Sequence, residues 1–136
     1  MALVNTIEYN DFSTSANVTD FGNLSSTSGN NSSACSTVRA VLAAPGVAAN
    51  VLEYVTVAST GNSSDFGDLD TAVRWPSGSS NGTLGEFFCG SNASGTTQNI
   101  IQKITIASTG NATDIGDVAT GTVGGNHNQG SALSGT

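Results

Sequence analysis

The sequence predicts an all-β fold built from repeated units, and three observations carry the prediction. The first is a pattern of 20 residues that occurs three times. It is clearest at Asn50-Val-Leu-Glu-Tyr-Val-Thr-Val-Ala-Ser-Thr-Gly-Asn-Ser-Ser-Asp-Phe-Gly-Asp-Leu69 and at Asn99-Ile-Ile-Gln-Lys-Ile-Thr-Ile-Ala-Ser-Thr-Gly-Asn-Ala-Thr-Asp-Ile-Gly-Asp-Val118. A worn copy stands at Asn5-Thr-Ile-Glu-Tyr-Asn-Asp-Phe-Ser-Thr-Ser-Ala-Asn-Val-Thr-Asp-Phe-Gly-Asn-Leu24. In each copy an Asp follows the opening Asn by 15 residues, at Asp20, Asp65 and Asp114, so the copies start 45 and then 49 residues apart. A period in this range belongs to modular architectures of stacked or radially arranged units. Second, no window carries apolar residues at i, i+3, i+4 and i+7 through three turns, so no long helix is expected. Third, 17 of 136 residues are Gly, and Ser, Thr, Asn and Ala fill most of the rest, against five Phe, two Tyr, one Trp and one Met. Such a composition suits short strands joined by turns. The chain reads as a single repeat domain, 1–136, with units at approximately 1–45, 46–94 and 95–136.

In chain order, residues 2–9 read as a strand. Asn10 and Asp11 then replace the Val-Thr or Ile-Thr of the other copies, as befits a terminal repeat with no neighbour on one face. Residues 18–24 form a second short strand or tight turn, whose Gly22 supplies a backbone position without a Cβ. Residues 25–37 are small and polar and read as a loop. A strand of small residues follows at 38–44, ended by the turn signal Pro45-Gly46. Residues 51–58 are β-branched and apolar with Glu53 and Thr56 embedded. A run without strict alternation indicates a strand covered on both faces. Ser59-Thr-Gly-Asn62 is a turn, and 65–69 a short strand. Residues 70–81 hold Arg74, Trp75 and Pro76 and then a Ser/Gly loop. The strand 84–90 matches 39–45, because Ala40 and Gly85 each lie 20 residues past the repeat Asp. The loop 91–98 is longer by four residues than its counterpart, which accounts for the wider second spacing. The third copy occupies 99–118, and Ser134, in the Gly/Asn/Ser-rich stretch beyond it, is the equivalent of Ala40 and Gly85. That strand is therefore expected to be incomplete at both ends of the chain.

Taken as one unit, a small-residue strand, a loop, Asn-Val-Leu-Glu-Tyr, a turn and a short outer strand resemble the kelch motif. The closer resemblance is to degenerate kelch-like arrays of bacteriophage structural proteins, especially those of marine and cyanobacterial phages. Residues 50–69 and 99–118 match the repeat of those arrays nearly residue for residue. The resemblance covers the three copies, about half the chain. The flanks depart from it: the Gly-Gly-Gly that usually ends the small-residue strand is Ala43-Ala44-Pro45 here, and Phe88-Cys89-Gly90 in the next unit. The resemblance implies four-stranded β-propeller blades, a virion or surface structural role, and no catalytic residues. A β-sandwich is the alternative fold. Propellers usually take about 4–8 blades, and three units cannot close such a ring alone. Open strand edges pair with something. Closure by homo-oligomerisation is therefore expected, as a ring, fibre or shell.

The candidate sites are few. Asp65/Asp68 and Asp114/Asp117 recur beside Asn62, Ser64, Asn111 and Thr113. Repeated oxygen donors of this kind are the weak candidates for a calcium site. The spacing is neither that of an EF-hand nor of the nonapeptide calcium repeat, and Asn23 replaces the second Asp in the first copy. Side-chain capping of turns is the favoured reading of these residues. Arg74 and Trp75 are the weak candidates for ligand binding, since an aromatic beside a cation suits a sugar ring. Packing between units is the favoured role for Trp75. Tyr9 and Tyr54 hold equivalent positions, with Lys103 in the third copy, and read as structural. His127 lies in a Gly/Asn-rich stretch without a triad motif around it. No catalytic residue, resident metal or cofactor is assigned. Two cysteines and one His fall short of a four-ligand zinc site, and Cys35 and Cys89, at non-equivalent repeat positions, read as free thiols. Asn-x-Ser/Thr triplets such as those at Asn17, Asn62, Asn92 and Asn111 follow from composition.

The net charge is −7, with Arg39, Arg74 and Lys103 the only Lys or Arg residues. Phosphate neutralisation needs clustered cations, so neither nucleic acid nor an anionic membrane surface is an expected partner. No apolar run reaches the length of a membrane-spanning helix, and the N-terminus lacks the basic and apolar regions of a signal peptide. The expectation is a non-enzymatic structural protein of a phage virion or similar extracellular particle, associating with itself and with other virion proteins. A module for host-surface glycans, read through loops 70–81 and 91–98, is the alternative.

Overall fold

The computed structural model describes residues 3–29, 31–43 and 49–119. Ten strands make up its regular structure: β1 (Val4–Tyr9), β2 (Thr19–Ser28), β3 (Ser32–Cys35), β4 (Arg39–Ala43), β5 (Ala49–Thr56), β6 (Ser64–Val73), β7 (Ser77–Ser80), β8 (Leu84–Phe88), β9 (Ile100–Thr105) and β10 (Thr113–Asp117). They form three antiparallel sheets of sequential neighbours, β1-β2, β3-β4-β5-β6 and β7-β8-β9-β10. The all-β prediction holds, and no sheet closes on itself as a barrel.

Sheets begin at residues 4, 32 and 77, so units counted from the Asn of each copy cut through them. The reason lies in two segments that composition assigns to loops. Residues 25–37 contain the end of β2 and all of β3, and the Ser/Gly part of 70–81 is β7. Strands β3 and β7 each pair along their whole length with the next strand, Ser32↔Ala43 through Cys35↔Ala40 and Ser77↔Phe88 through Ser80↔Gly85. Apolar patterning is missing because these strands lie against each other, where side chains must be small. A Cβ on Gly78 would collide with the Ser33 carbonyl, and one on Gly85 would stand 2.6 Å from the Ala34 Cβ. Ser80 Oγ donates to Cys35 O (2.8 Å) and accepts from Cys35 N (3.2 Å). Cys35 and Ser80 are the same position of consecutive repeats, so the units stack in register. The first sheet has two strands among the described residues, not the four expected of a whole unit.

The core runs through the second and third sheets. Val41, Ala43, Leu52, Phe66, Leu69 and Val73 meet Phe87, Ile104, Ile106 and Ala112 in one buried cluster. Strand β5 buries the successive residues Leu52 and Glu53, as a strand covered on both faces must. Tyr54 meets Phe66 edge to face at 6.1 Å between centroids, and Tyr9 meets Phe21 likewise at 5.9 Å. Lys103 and Ile115 stand in place of this pair in the third copy.

Candidate functional site

The most developed site in the molecule is the junction between successive repeats, and it is made by the repeated pattern itself. Each copy contributes a turn and a bulged strand. The turns share one geometry: Thr14 N donates to Asp11 O, Ser59 N to Thr56 O and Ser108 N to Thr105 O, all at 3.1–3.2 Å. The bulges are also equivalent. Asp20 and Gly22 face Glu8 and Ile7, Asp65 and Gly67 face Glu53 and Leu52, and Asp114 and Gly116 face Gln102 and Ile101. Phe21, Phe66 and Ile115 are the extra residues that the bulges admit. A bulge of this kind bends the strand and frees its ladder groups for other partners.

The turn of one copy docks on the bulge of the copy before it. Gly61 N donates to Phe21 O (2.7 Å) and Ser63 N to Asn23 O (2.9 Å), while Asn62 Oδ1 accepts from Asn23 N (3.0 Å). The next junction repeats this atom for atom. Gly110 N donates to Phe66 O (2.7 Å), Ala112 N to Asp68 O (2.7 Å), and Asn111 Oδ1 accepts from Asp68 N (3.1 Å). The turn thus satisfies both carbonyls and one N–H on the outer edges of β2 and β6, the groups a free edge would leave open. Contact is close enough to demand glycine. A Cβ on Gly67 would lie 2.5 Å from Gly110 O and 2.6 Å from Gly110 C, and Gly22 is tighter against Gly61.

Polar side chains from the central strands reinforce each junction. The buried Glu53 carboxylate accepts from Ser25 Oγ, from Ser25 N (3.3 Å) and from Ser63 Oγ (2.9 Å). Three donors compensate the desolvation that burying a carboxylate entails. Gln102 holds the equivalent position in the third copy, accepting from Thr71 N (2.9 Å) and donating to Thr71 O (3.3 Å). Glu8, the first-copy equivalent, is exposed. Arg39 lies over the Tyr54 ring at 4.3 Å and donates through Nη1 to Ile106 O (3.3 Å) and Ala107 O (3.1 Å), tying the second sheet to the turn of the third copy.

The predicted site residues fall around these junctions. Asp65 and Asp68 flank Gly67, and Asp114 and Asp117 flank Gly116. Asp68 takes part through its backbone, and Asp114 Oδ1 caps Gly116 N at 2.9 Å. No group of three His, Cys, Asp or Glu converges among the described residues. Asn62 and Asn111, weighed in sequence as metal-site oxygens or as turn caps, spend their side-chain oxygens on the preceding repeat. A recurring Gly inside a strand is the available signal for such close backbone approach. Which backbone approaches, the sequence does not say.

Arg74 and Trp75 sit in the connection from β6 to β7, with Trp75 half-buried at φ 50°. Arg74 pairs by backbone with Ser91 (2.7 and 3.0 Å), and its Nη2 donates to Ala93 O (2.9 Å). This brings Arg74 and Trp75 together with loop 91–98, where Asn92 Oδ1 accepts from Ser94 N (3.0 Å) and Thr96 N (2.9 Å). Arg74 Nε and Ser91 Oγ are buried without a hydrogen-bond partner among the described residues. Cys35 and Cys89 form no disulfide, and Cys89 is buried while Cys35 is exposed. His127 lies outside the described residues. No protein-family model matches the chain, and no curated protein matches it.

Proposed function

We propose that the chain is a non-enzymatic structural protein that associates with itself through its β-repeats, as kelch-like, propeller-blade units of a phage virion or comparable extracellular particle. The observation that carries this reading is the junction of turn and bulge, formed twice along the chain from the same residue types. A device that joins one repeat to the next covers strand edges and adds units in one direction. The likeness of residues 50–69 and 99–118 to phage repeat arrays supports the virion setting. Its partners are then copies of itself and other virion proteins. Electron micrographs of the purified full chain are expected to contain regular rings, filaments or shells. A monodisperse monomer by light scattering up to high micromolar concentration refutes the reading.

A second reading, recognition of host-surface glycans, is favoured by one observation, the contact of Arg74 with Ala93 that makes Trp75 and loop 91–98 neighbours. Glycan-array binding that disappears in Trp75→Ala supports it, and an array without signal removes it.

A further inference from the structure

Resting on the self-association reading, we infer that copies of this chain join head to tail: the turn at residues 14–18 of one copy docks on the β10 edge, at Ile115-Gly116-Asp117, of another. Among the described residues there are three acceptor bulges and three donor turns, and the junctions between them use two of each. The acceptor left over is on β10. No described residue donates to Ile115 O or Asp117 O, and a Cβ on Gly116 would meet nothing within 4 Å. Every residue of β10 is exposed. Phe66, beneath a docked turn, is 2 % exposed, and its counterpart Ile115 is 45 % exposed. Gly116 nevertheless keeps the φ of the occupied acceptors, 140° against 154° for Gly22 and 142° for Gly67. This acceptor, undocked among the described residues, is thus already in its receiving shape.

The donor left over belongs to the first copy. Ala16, Asn17 and Val18 correspond to Gly61, Asn62 and Ser63, and all three are exposed. The turn that presents them is closed by the same Thr14-to-Asp11 hydrogen bond as its two docked counterparts and is further held by Asp11 Oδ1, which accepts from Ser13 N (2.8 Å). Ala16 N and Val18 N can serve as the two donors and Asn17 Oδ1 as the acceptor. Ala16 is sterically admissible, because a Cβ at Gly61 or Gly110 meets nothing within 4 Å, although it must take a more extended φ than the 159° and 153° of those glycines. Exposed apolar side chains flank the donor, Tyr9, Phe12 and Val18 among them. The two halves lie on different surfaces of one chain. The contact is therefore heterologous, giving a ring if its rotation closes and a filament if it does not.

Two blocking variants test the joint. Gly116→Ala puts a Cβ where the incoming carbonyl must stand, and Val18→Pro deletes the N–H equivalent to Ser63 N and Ala112 N. Sedimentation velocity on the full chain is expected to show concentration-dependent assembly for the unmodified protein and monomers for each variant. An equimolar mixture is expected to give dimers and nothing larger, since one good turn and one good edge remain between the two variants. Asn17→Ala, exposed and outside any strand, is expected to weaken association at least about tenfold without altering the circular dichroism spectrum. Unmodified protein that assembles while all three variants assemble equally well overturns the head-to-tail joint and leaves self-association standing. Folded variants whose mixture stays monomeric also overturn the joint. Unmodified protein that never assembles overturns both.

Discussion

Replacing Gly67 by Ala tests the junction inside the chain, and its cost can be worked from the structure. The residue has φ 142°, where an L side chain is strained by about 1–3 kcal/mol. The added Cβ would stand 2.5 Å from Gly110 O, so the turn must back away from β6. Three hydrogen bonds then lengthen or break, those of Gly110 N, Ala112 N and Asn111 Oδ1. At about 0.5–1.5 kcal/mol each they contribute about 1.5–4.5 kcal/mol. Gly67→Ala is thus expected to destabilise by about 2.5–7.5 kcal/mol, a large part of the stability of a domain this size. Gly116→Ala supplies the control. It carries the same backbone strain at φ 140° with nothing for its Cβ to strike, so about 1–3 kcal/mol is expected of it. Equilibrium urea unfolding at dilute chain concentration, followed by the fluorescence of the single Trp75, reads both through their midpoints. Equal losses in the two variants, within about 0.5 kcal/mol, would show that the docked turn contributes nothing and refute the reasoning.

Other parts of the junction make their own predictions. Glu53→Gln is expected to cost under about 1 kcal/mol, since Gln102 fills the same position in the next copy, whereas Glu53→Ala strands the donors of Ser25 and Ser63 and costs about 2–4 kcal/mol in the same unfolding assay. Arg39→Ala loses the stack on Tyr54 and both carbonyl contacts and is expected to cost about 1–2 kcal/mol, with faster amide exchange in the turn at 105–110; Arg39→Lys is expected to recover less than half. The Ser13 hydroxyl and then the Ser13 N–H hold the Asp11 carboxyl below its ordinary value of 3.8. For a carboxylate depressed in the folded state, the stabilisation of the 11–14 turn is present above the ordinary carboxylate value and is lost as pH falls through the depressed one. An NMR titration of Asp11 is expected to move part of the way back toward the ordinary value in Ser13→Ala, which keeps the N–H, and no movement would remove the Ser13 hydroxyl as the larger cause.

The sequence by itself determined the local pieces. Glu53 amid β-branched neighbours marked a two-faced strand, Thr-Gly-Asn marked turns, and the Gly of each copy marked a backbone position without a Cβ. These are properties of a residue and its immediate neighbours, so periodicity and turn chemistry expose them. Tertiary structure decided three further matters. It placed β3 and β7 within polar stretches, because a strand packed on another at close range needs small residues and leaves no alternating pattern. It put sheet boundaries near residues 30 and 75, since pairing follows the backbone ladder and not the place where a repeat is easiest to see. It also joined Asn62 to Asn23 and Asn111 to Asp68, some forty residues apart along the chain. A turn and a glycine bulge each have a local explanation when met singly. Their complementarity exists only between one repeat and the next, where the shape of one backbone meets the open edge of another.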